Sequence, residues 1–178
     1  RTIYFTDDVA VAWPRGGFIE MAAHDPEKGA QFYILDQHDS PTTQILRAET
    51  VRPGACLACH HAFATMEVPG FIVKSVAAEP DGRAAPQAAN YITDDRSPLD
   101  ERWAGWYVTG RTGSARHIGN PDALSVRDGR PEVTPHTTTL DSLTNVIDTK
   151  RYLAASSDVA ALLVFDHQAR LMNMLTRV

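Results

Sequence analysis

Two cysteines and a histidine stand close enough in the chain to form one cofactor site. They lie in the stretch Cys56-Leu57-Ala58-Cys59-His60, a C-x-x-C-H box. In such a box each thiol can form a thioether bond to a haem vinyl group, and the adjacent histidine can bind the iron from one side. The motif therefore predicts one covalent haem c per chain, with Cys56 and Cys59 as anchors and His60 as an iron ligand.

Other uses of paired cysteines fit the sequence less well. A structural zinc site needs four ligands, but the chain has no second C-x-x-C and its other histidines lack the H-x3–5-H spacing. A thioredoxin-like motif lies within a βαβ pattern, and none surrounds this box. A disulfide between such near neighbours is strained and closes almost no loop. A metal or thiol role stays open as the alternative to haem.

The opposite face of the iron decides between an electron carrier and an open site. A second strong ligand gives a six-coordinate iron suited to electron transfer, whereas an open position admits peroxide or a diatomic gas. His61 cannot reach that face because it follows His60 directly. His24 and His38 lie in turn-rich sequence and His136 lies on a loop, so we expect all three to be solvated.

His167 is the first choice for the sixth ligand. It lies in a predicted C-terminal helix, on one face with Ala160, Leu163, Leu171 and Met174. An imidazole on a buried apolar stripe needs a partner, which is either iron or a hydrogen-bonding group. The methionines of this helix are typical core residues.

His117 is the second choice for the sixth ligand. It lies in a glycine-containing segment with Arg111 and Arg116, whose guanidinium groups suit the two carboxylates of haem propionates. The alternative is an exposed basic loop. Trp106 lies in an aromatic cluster just before this segment, where it can belong to the core or contact the porphyrin.

The sequence predicts an α+β fold. Short β-branched or aromatic runs separated by turn signals predict strands over Thr2–Phe5, Val9–Trp13, Phe18–Ala23 and Gln31–Leu35. A short helix from Pro53 to about Thr65 carries the haem box, and a long helix with an N-cap among Ser156–Asp158 runs to about Arg177. We expect a small antiparallel sheet, with the haem between sheet and C-terminal helix.

The middle of the chain is predicted to alternate loops with short elements. Two further strands are expected, over Phe71–Ala77 and Gly105–Thr109, and a helix over Leu140–Val146. Pro- and Gly-rich composition predicts long loops over 79–90 and 119–135. Loops of this length in a small domain are typical of a functional or partner surface.

Composition limits the function classes. The 178 residues are 43% hydrophobic with a net charge of −5, which permits a core and, without a basic stripe, argues against nucleic acid. The longest apolar run is too short to span a membrane. Haem c attachment implies a periplasmic or extracellular location. The chain begins within a predicted strand and ends within a predicted helix, so we expect a single haem c domain over 1–178 that is a fragment of a longer protein.

The sequence resembles a group of poorly characterised bacterial exported cytochrome c-like proteins. The resemblance rests on the haem box, Val68-Pro69-Gly70, Arg102–Gly110, Arg116–Asn120 and Asp166–Gln168, and it covers most of the chain. It implies one haem c and an exported protein, and it favours Arg116, His117 and His167 as site residues. The group has a histidine where Met172 stands here, so the resemblance makes Met172 a further candidate ligand.

These observations favour an exported mono-haem c-type cytochrome that carries electrons, working with redox protein partners or within a larger cytochrome complex. The alternative is a haem c enzyme of peroxidase-like type, or a gas sensor, with an open distal site. A structural subunit in which the haem only supports the fold is a third reading.

Overall fold

The structure is a computed structural model that describes residues 2–14, 17–37, 49–50, 53–79, 83–85, 87–121, 124–127 and 130–178. The chain forms two compact units. The first unit contains Arg1–Ile72 and Gln168–Val178, and the second contains Val73–His167. The C-x-x-C-H box, Cys56–His60, belongs to the first unit.

The first unit is built on a five-stranded antiparallel sheet in which each strand pairs with the next along the chain. Turn-rich sequence between short β-branched and aromatic runs favours this meander. The predicted N-terminal strands are confirmed, with the third and fourth longer than expected. The strands are β1 (Thr2–Phe5), β2 (Val9–Trp13), β3 (Ile19–Asp25), β4 (Gly29–Leu35) and β5 (Glu49–Thr50).

The C-x-x-C-H box forms the end of a short helix, α1, which spans Pro53–His60. Proline suits the first helical position because its missing N–H is not needed there. The helix stops earlier than predicted, and a separate 3-10 turn covers Phe63–Thr65. Met66 and Glu67 follow with φ of 60° each, a left-handed conformation that a helix cannot continue through.

The second unit contains two hairpins in largely irregular backbone. Its strands are β6 (Val73–Val76), β7 (Asn90–Thr93), β8 (Leu124–Arg127) and β9 (Arg130–Val133), and a 3-10 turn covers Leu99–Glu101. Three predictions are wrong here. The loop predicted over 119–135 contains the β8–β9 hairpin, residues 105–109 are not a strand, and residues 140–146 form turns instead of a helix.

The C-terminal helix α2 spans Val159–Arg177, as predicted. Asp158 caps its start, because the carboxylate Oδ1 accepts the Ala160 N–H at 2.8 Å. The first half of α2 belongs to the second unit and the second half to the first unit. Sheets and helices in separate stretches of the chain confirm the α+β class.

Each unit buries its own apolar residues. In the second unit Trp103, Val108 and Leu162 form one cluster, and a group of small side chains around Ile118 forms another. In the first unit Phe71, Ala169 and Met172 are buried. Among the described helices, none has the length and apolar character needed to cross a membrane.

Candidate functional site

Both thiols of the C-x-x-C-H box are free. Cys56 and Cys59 are three residues apart in α1, and this spacing puts both on one face of the helix. Cys56 is half-buried and Cys59 is exposed. Burial raises the pKa of the Cys56 thiol, and the negative charge of Glu20 raises it further. Activated redox thiols have a lowered pKa, so the surroundings of Cys56 do not resemble those of a thioredoxin-type nucleophile.

The imidazole of His60 is fixed by a backbone carbonyl. Its Nδ1 lies 2.9 Å from the carbonyl oxygen of Gly70. A carbonyl oxygen can only accept a hydrogen bond, so Nδ1 carries the proton and donates it. In the neutral ring Nε2 then keeps a lone pair, which is the state that a metal-binding histidine requires.

Further contacts hold the His60 ring and its acceptor. The Gly70 N–H donates to the carbonyl of His60 at 2.8 Å, so these two residues bond to each other twice. The ring of Phe32 on β4 packs against the imidazole, with centroids 4.7 Å apart and planes tilted by 59°. His60 is therefore held from the strand side as well as from the Gly70 side.

His117 lies in the second unit and is fully buried. The Gly119 N–H donates to its Nδ1 at 3.0 Å, so this nitrogen carries the lone pair and Nε2 carries the proton. Nε2 is buried with no hydrogen-bond partner among the described residues. Burial lowers the pKa of His117 from 6.5 to about 4, with a contribution from the neighbouring His136. The ring is therefore neutral at pH 7, with its N–H at Nε2.

His136 packs against His117, with ring centroids 4.8 Å apart. The two residues also exchange backbone hydrogen bonds of 2.8 and 2.9 Å. The Nε2–H of His136 donates to the Gly119 carbonyl at 2.9 Å, and its Nδ1 accepts the Thr138 N–H at 3.1 Å. The prediction of a solvated His136 is wrong, because this pairing half-buries it. His38 lies outside the described residues.

His167 is exposed on α2, where 58% of its side chain is accessible. Its Nδ1 lies 3.1 Å from Oδ2 of Asp95. The helix face predicted to be buried is the exposed one: Leu163, Leu171 and Met174 are 38–39% accessible. The buried residues of α2 are Leu162, Asp166, Ala169, Met172 and Asn173.

The remaining predicted site residues all belong to the second unit. Arg111 is exposed. Arg116 is also exposed and donates from Nε and Nη2 to the Pro135 carbonyl at 3.2 and 3.0 Å. Trp106 donates from Nε1 to the Lys74 carbonyl at 2.8 Å and packs near Phe165. The first unit thus holds Cys56, Cys59 and His60, and the second holds the other five candidates, His117, His167, Arg111, Arg116 and Trp106.

A buried ionic group in the second unit has no counterpart in the predictions. Asp166 Oδ2 accepts hydrogen bonds from Arg102 Nη1 and Trp103 Nε1, both at 3.2 Å. Burial raises the pKa of Asp166, and the Arg102 charge opposes this shift. The indole of Trp103 packs in turn on His117, with ring centroids 5.6 Å apart. The sequence signal for this buried group was an acidic residue, Asp166, within the apolar first half of α2.

Comparison with known proteins adds no assignment to this geometry. No protein-family model matches the chain, and no curated protein or solved structure matches it. Within the part of the chain that the structure describes, no group of three or more His, Cys, Asp or Glu side chains could hold a metal ion. A haem needs no such group, because the porphyrin supplies four of the iron's ligands.

Proposed function

We propose that the chain is an exported mono-haem c-type cytochrome domain that carries electrons. The observation that supports it best is the hydrogen bond from His60 Nδ1 to the Gly70 carbonyl. This bond leaves Nε2 with the lone pair that an axial haem ligand donates to iron. The histidine of a haem box is thus held in the tautomer its proposed role requires.

Each residue of the box has a defined role in this proposal. The S–H groups of Cys56 and Cys59 would each add across a haem vinyl group, with sulfur bonding to one vinyl carbon and the proton ending on the other. His60 Nε2 would bind the iron. The haem would then supply a one-electron couple between ferric and ferrous iron, and the protein would tune its potential through ligands, burial and hydrogen bonds.

For a six-coordinate carrier we take Met172 as the sixth ligand, the further candidate that the resemblance gave. It is buried and belongs to the same compact unit as the haem box. A thioether sulfur has no proton that must leave before it binds iron, in contrast to His117 Nε2. Pairing of methionine with histidine raises the reduction potential of a haem, so we expect a higher potential than for two histidine ligands.

Location and partners follow from the cofactor. Haem c attachment takes place outside the cytoplasm, which supports a periplasmic or extracellular site. A single haem that carries electrons must exchange them with redox protein partners or with other haems in a larger cytochrome complex. Both statements depend on the haem and fail with it.

An open distal site is the second candidate, and the states of two histidines favour it. The Nε2 of His117 is protonated and the side chain of His167 is mostly exposed, so neither is prepared to bind a buried iron. Without Met172 as a ligand, the iron would bind peroxide or a diatomic gas, and the function would be that of a peroxidase-like enzyme or a gas sensor.

The optical spectrum of the chain, produced with a c-type maturation system, tests both candidates. A low-spin ferrous spectrum that does not change with CO supports the carrier, and we expect Met172→Ala to make it CO-sensitive. His117→Asn, which removes an imidazole from the second unit, is the matched control and should leave the spectrum unchanged. A wild-type spectrum that shifts with CO favours the open site, and absence of covalent haem contradicts both.

A further inference from the structure

We propose that Asn173 is a positioning residue for the iron ligand: it fixes the backbone that carries the Gly70 carbonyl and so sets the reduction potential of the haem. This inference rests on the proposed haem function. Asn173 acts through Gly70 and His60 and touches neither the iron nor the porphyrin in this proposal.

Asn173 is a buried amide whose two polar atoms both bond to one backbone residue. Its Oδ1 accepts the N–H of Phe71 at 2.7 Å, and its Nδ2 donates to the carbonyl of Phe71 at 2.9 Å. Only 3% of Asn173 is accessible. A buried amide with both groups satisfied fixes its partner firmly, because breaking the pair would leave polar groups without hydrogen bonds.

The position of Phe71 determines the position of the His60 acceptor. Phe71 follows Gly70 directly, so the Gly70 carbonyl belongs to the same peptide unit as the Phe71 N–H that Asn173 binds. A peptide unit is planar, and its carbonyl and N–H therefore move together. Holding the Phe71 N–H fixes the direction in which the Gly70 oxygen faces the His60 ring.

The absence of a side chain at residue 70 supports the same assignment. A Cβ there would collide with Oδ1 of Asn173 and would lie 3.0 Å from the Cβ of Thr65. Asn173 therefore packs directly on the backbone of Gly70 as well as bonding to Phe71. Glycine at this position permits the close approach.

Two other contacts hold the chain on the other side of Gly70. The Pro69 carbonyl accepts the Ala30 N–H at 2.7 Å, and the Val68 carbonyl accepts the Thr65 hydroxyl at 2.7 Å. Asn173 supplies the anchor on the C-terminal side. The Gly70 carbonyl that orients His60 is thus fixed by contacts on both sides along the chain. Removing the Asn173 contact should therefore have a measurable effect on the His60 imidazole.

The strength of the hydrogen bond from His60 to Gly70 should affect the reduction potential of the haem. An imidazole that donates its Nδ1–H to a good acceptor is a more basic ligand at Nε2, and a more basic ligand stabilises ferric over ferrous iron. Weakening the bond to Gly70 should therefore raise the reduction potential. A tenfold change in the relative stability of the two oxidation states corresponds to ~59 mV for one electron.

The test compares two buried asparagines that make the same pair of bonds. Asn120 in the second unit accepts the Val108 N–H at 2.8 Å and donates to the Val108 carbonyl at 3.2 Å. Asn173→Ala, Asn173→Leu, which keeps the branched side-chain shape without its polar atoms, and Asn120→Ala would be produced as full-length haem-loaded chains and titrated electrochemically. We expect a higher potential, by about the tenfold equivalent, in the two Asn173 variants and no shift in Asn120→Ala.

A second measurement does not depend on haem. In the full chain produced without haem, 15N NMR reports which ring nitrogen of His60 carries the proton. We expect a single Nδ1–H tautomer in the wild type and in Asn120→Ala, and a mixture in Asn173→Leu.

The two measurements separate failure of this inference from failure of the proposed function. An unchanged His60 tautomer in Asn173→Leu, or an equal potential shift in Asn120→Ala, would overturn the role of Asn173. A wild type that carries no haem would contradict the proposed function, whereas the tautomer measurement would still decide whether Asn173 positions the imidazole.

Discussion

His60 and His117 differ in the direction of one hydrogen bond. The Nδ1 of His60 donates to the Gly70 carbonyl, whereas the Nδ1 of His117 accepts from the Gly119 N–H. In the neutral form of each ring the proton therefore lies on opposite nitrogens, and of the two rings His60 is the one with the lone pair needed for a metal at Nε2. The more deeply buried ring is the one that is less prepared to bind a metal.

The contacts around the two rings show the same difference. His60 is half-buried at the end of a helix, with one side against Phe32. His117 is enclosed by His136 and by Trp103, which Asp166 holds in turn. The imidazole of His117 is thus a packed core group of the second unit, whereas the imidazole of His60 in the first unit is held in one orientation by its hydrogen bond and by Phe32.

Replacing each of the two histidines in turn in the haem-loaded chain should give the largest difference. His60→Gly is expected to lose the low-spin spectrum, because the iron loses its proximal ligand, and free imidazole should restore it. His117→Asn is expected to keep the wild-type spectrum. The measurement is the absorption of the reduced chain with and without imidazole, and the reverse pattern would contradict the comparison.

Loosening the enclosure of His117 should lower stability strongly. Asp166→Ala leaves the buried Arg102 guanidinium without its carboxylate, and breaking a buried ion pair this way costs about 3–5 kcal/mol. It also removes the acceptor of the indole N–H of Trp103, whose φ of 72° is unusual for a bulky residue. Urea denaturation measures the free energy of unfolding.

Arg96→Ala is the control for that variant. It removes an exposed ion pair with Asp94, and such pairs contribute about 0–1 kcal/mol. Equal losses of stability in Asp166→Ala and Arg96→Ala would show that the Asp166 group is not a structural centre of the second unit.

The loss of stability on acidification should report that His117 is neutral in the folded chain. Its pKa is about 4 in the folded chain and 6.5 ordinarily. Between these values the unfolded chain binds a proton that the folded chain does not, so stability falls as pH decreases through this window. The pKa difference sets an upper limit of roughly 3 kcal/mol. In urea denaturation from pH 7 to 4, His117→Asn should lose this dependence, whereas a slope equal to that of the wild type would contradict the assignment.

Local sequence signals predicted the parts of the fold that depend on near neighbours. The turn residues between β1 and β4 and the Asp158 cap act within a few positions, so their elements were predicted closely. The β8–β9 hairpin was missed although Asp128-Gly129, which separates the two strands, is a strong hairpin signal. That error lies in the interpretation and not in the sequence.

Other errors have a non-local cause. Apolar side chains occur on several sides of α2, so periodicity did not reveal which side the rest of the chain covers, and the exposed side was chosen. Residues 105–109 resemble a strand, but the segment begins with Gly105 and is followed by Gly110, which have φ of 78° and 95°. Backbone of that kind is permitted by glycine and is fixed by tertiary contacts.

In the candidate site, too, the residues in a local motif were predicted and the residues joined by long-range contacts were not. Cys56, Cys59 and His60 are recognisable because their spacing matches the motif for thioether attachment of haem. The Gly70 acceptor lies ten residues away from His60, and Asn173 lies 102 residues beyond Phe71. No local pattern joins residues so far apart, so the supporting contacts of His60 became visible only in the folded chain.

The pair of hydrogen bonds between His60 and Gly70 has a consequence for the binding of a cofactor. Every group that orients the imidazole is protein, so the entropy lost in ordering the ring is lost during folding and not when a cofactor arrives. In the proposed cytochrome, haem would therefore meet a His60 side chain that folding has already oriented.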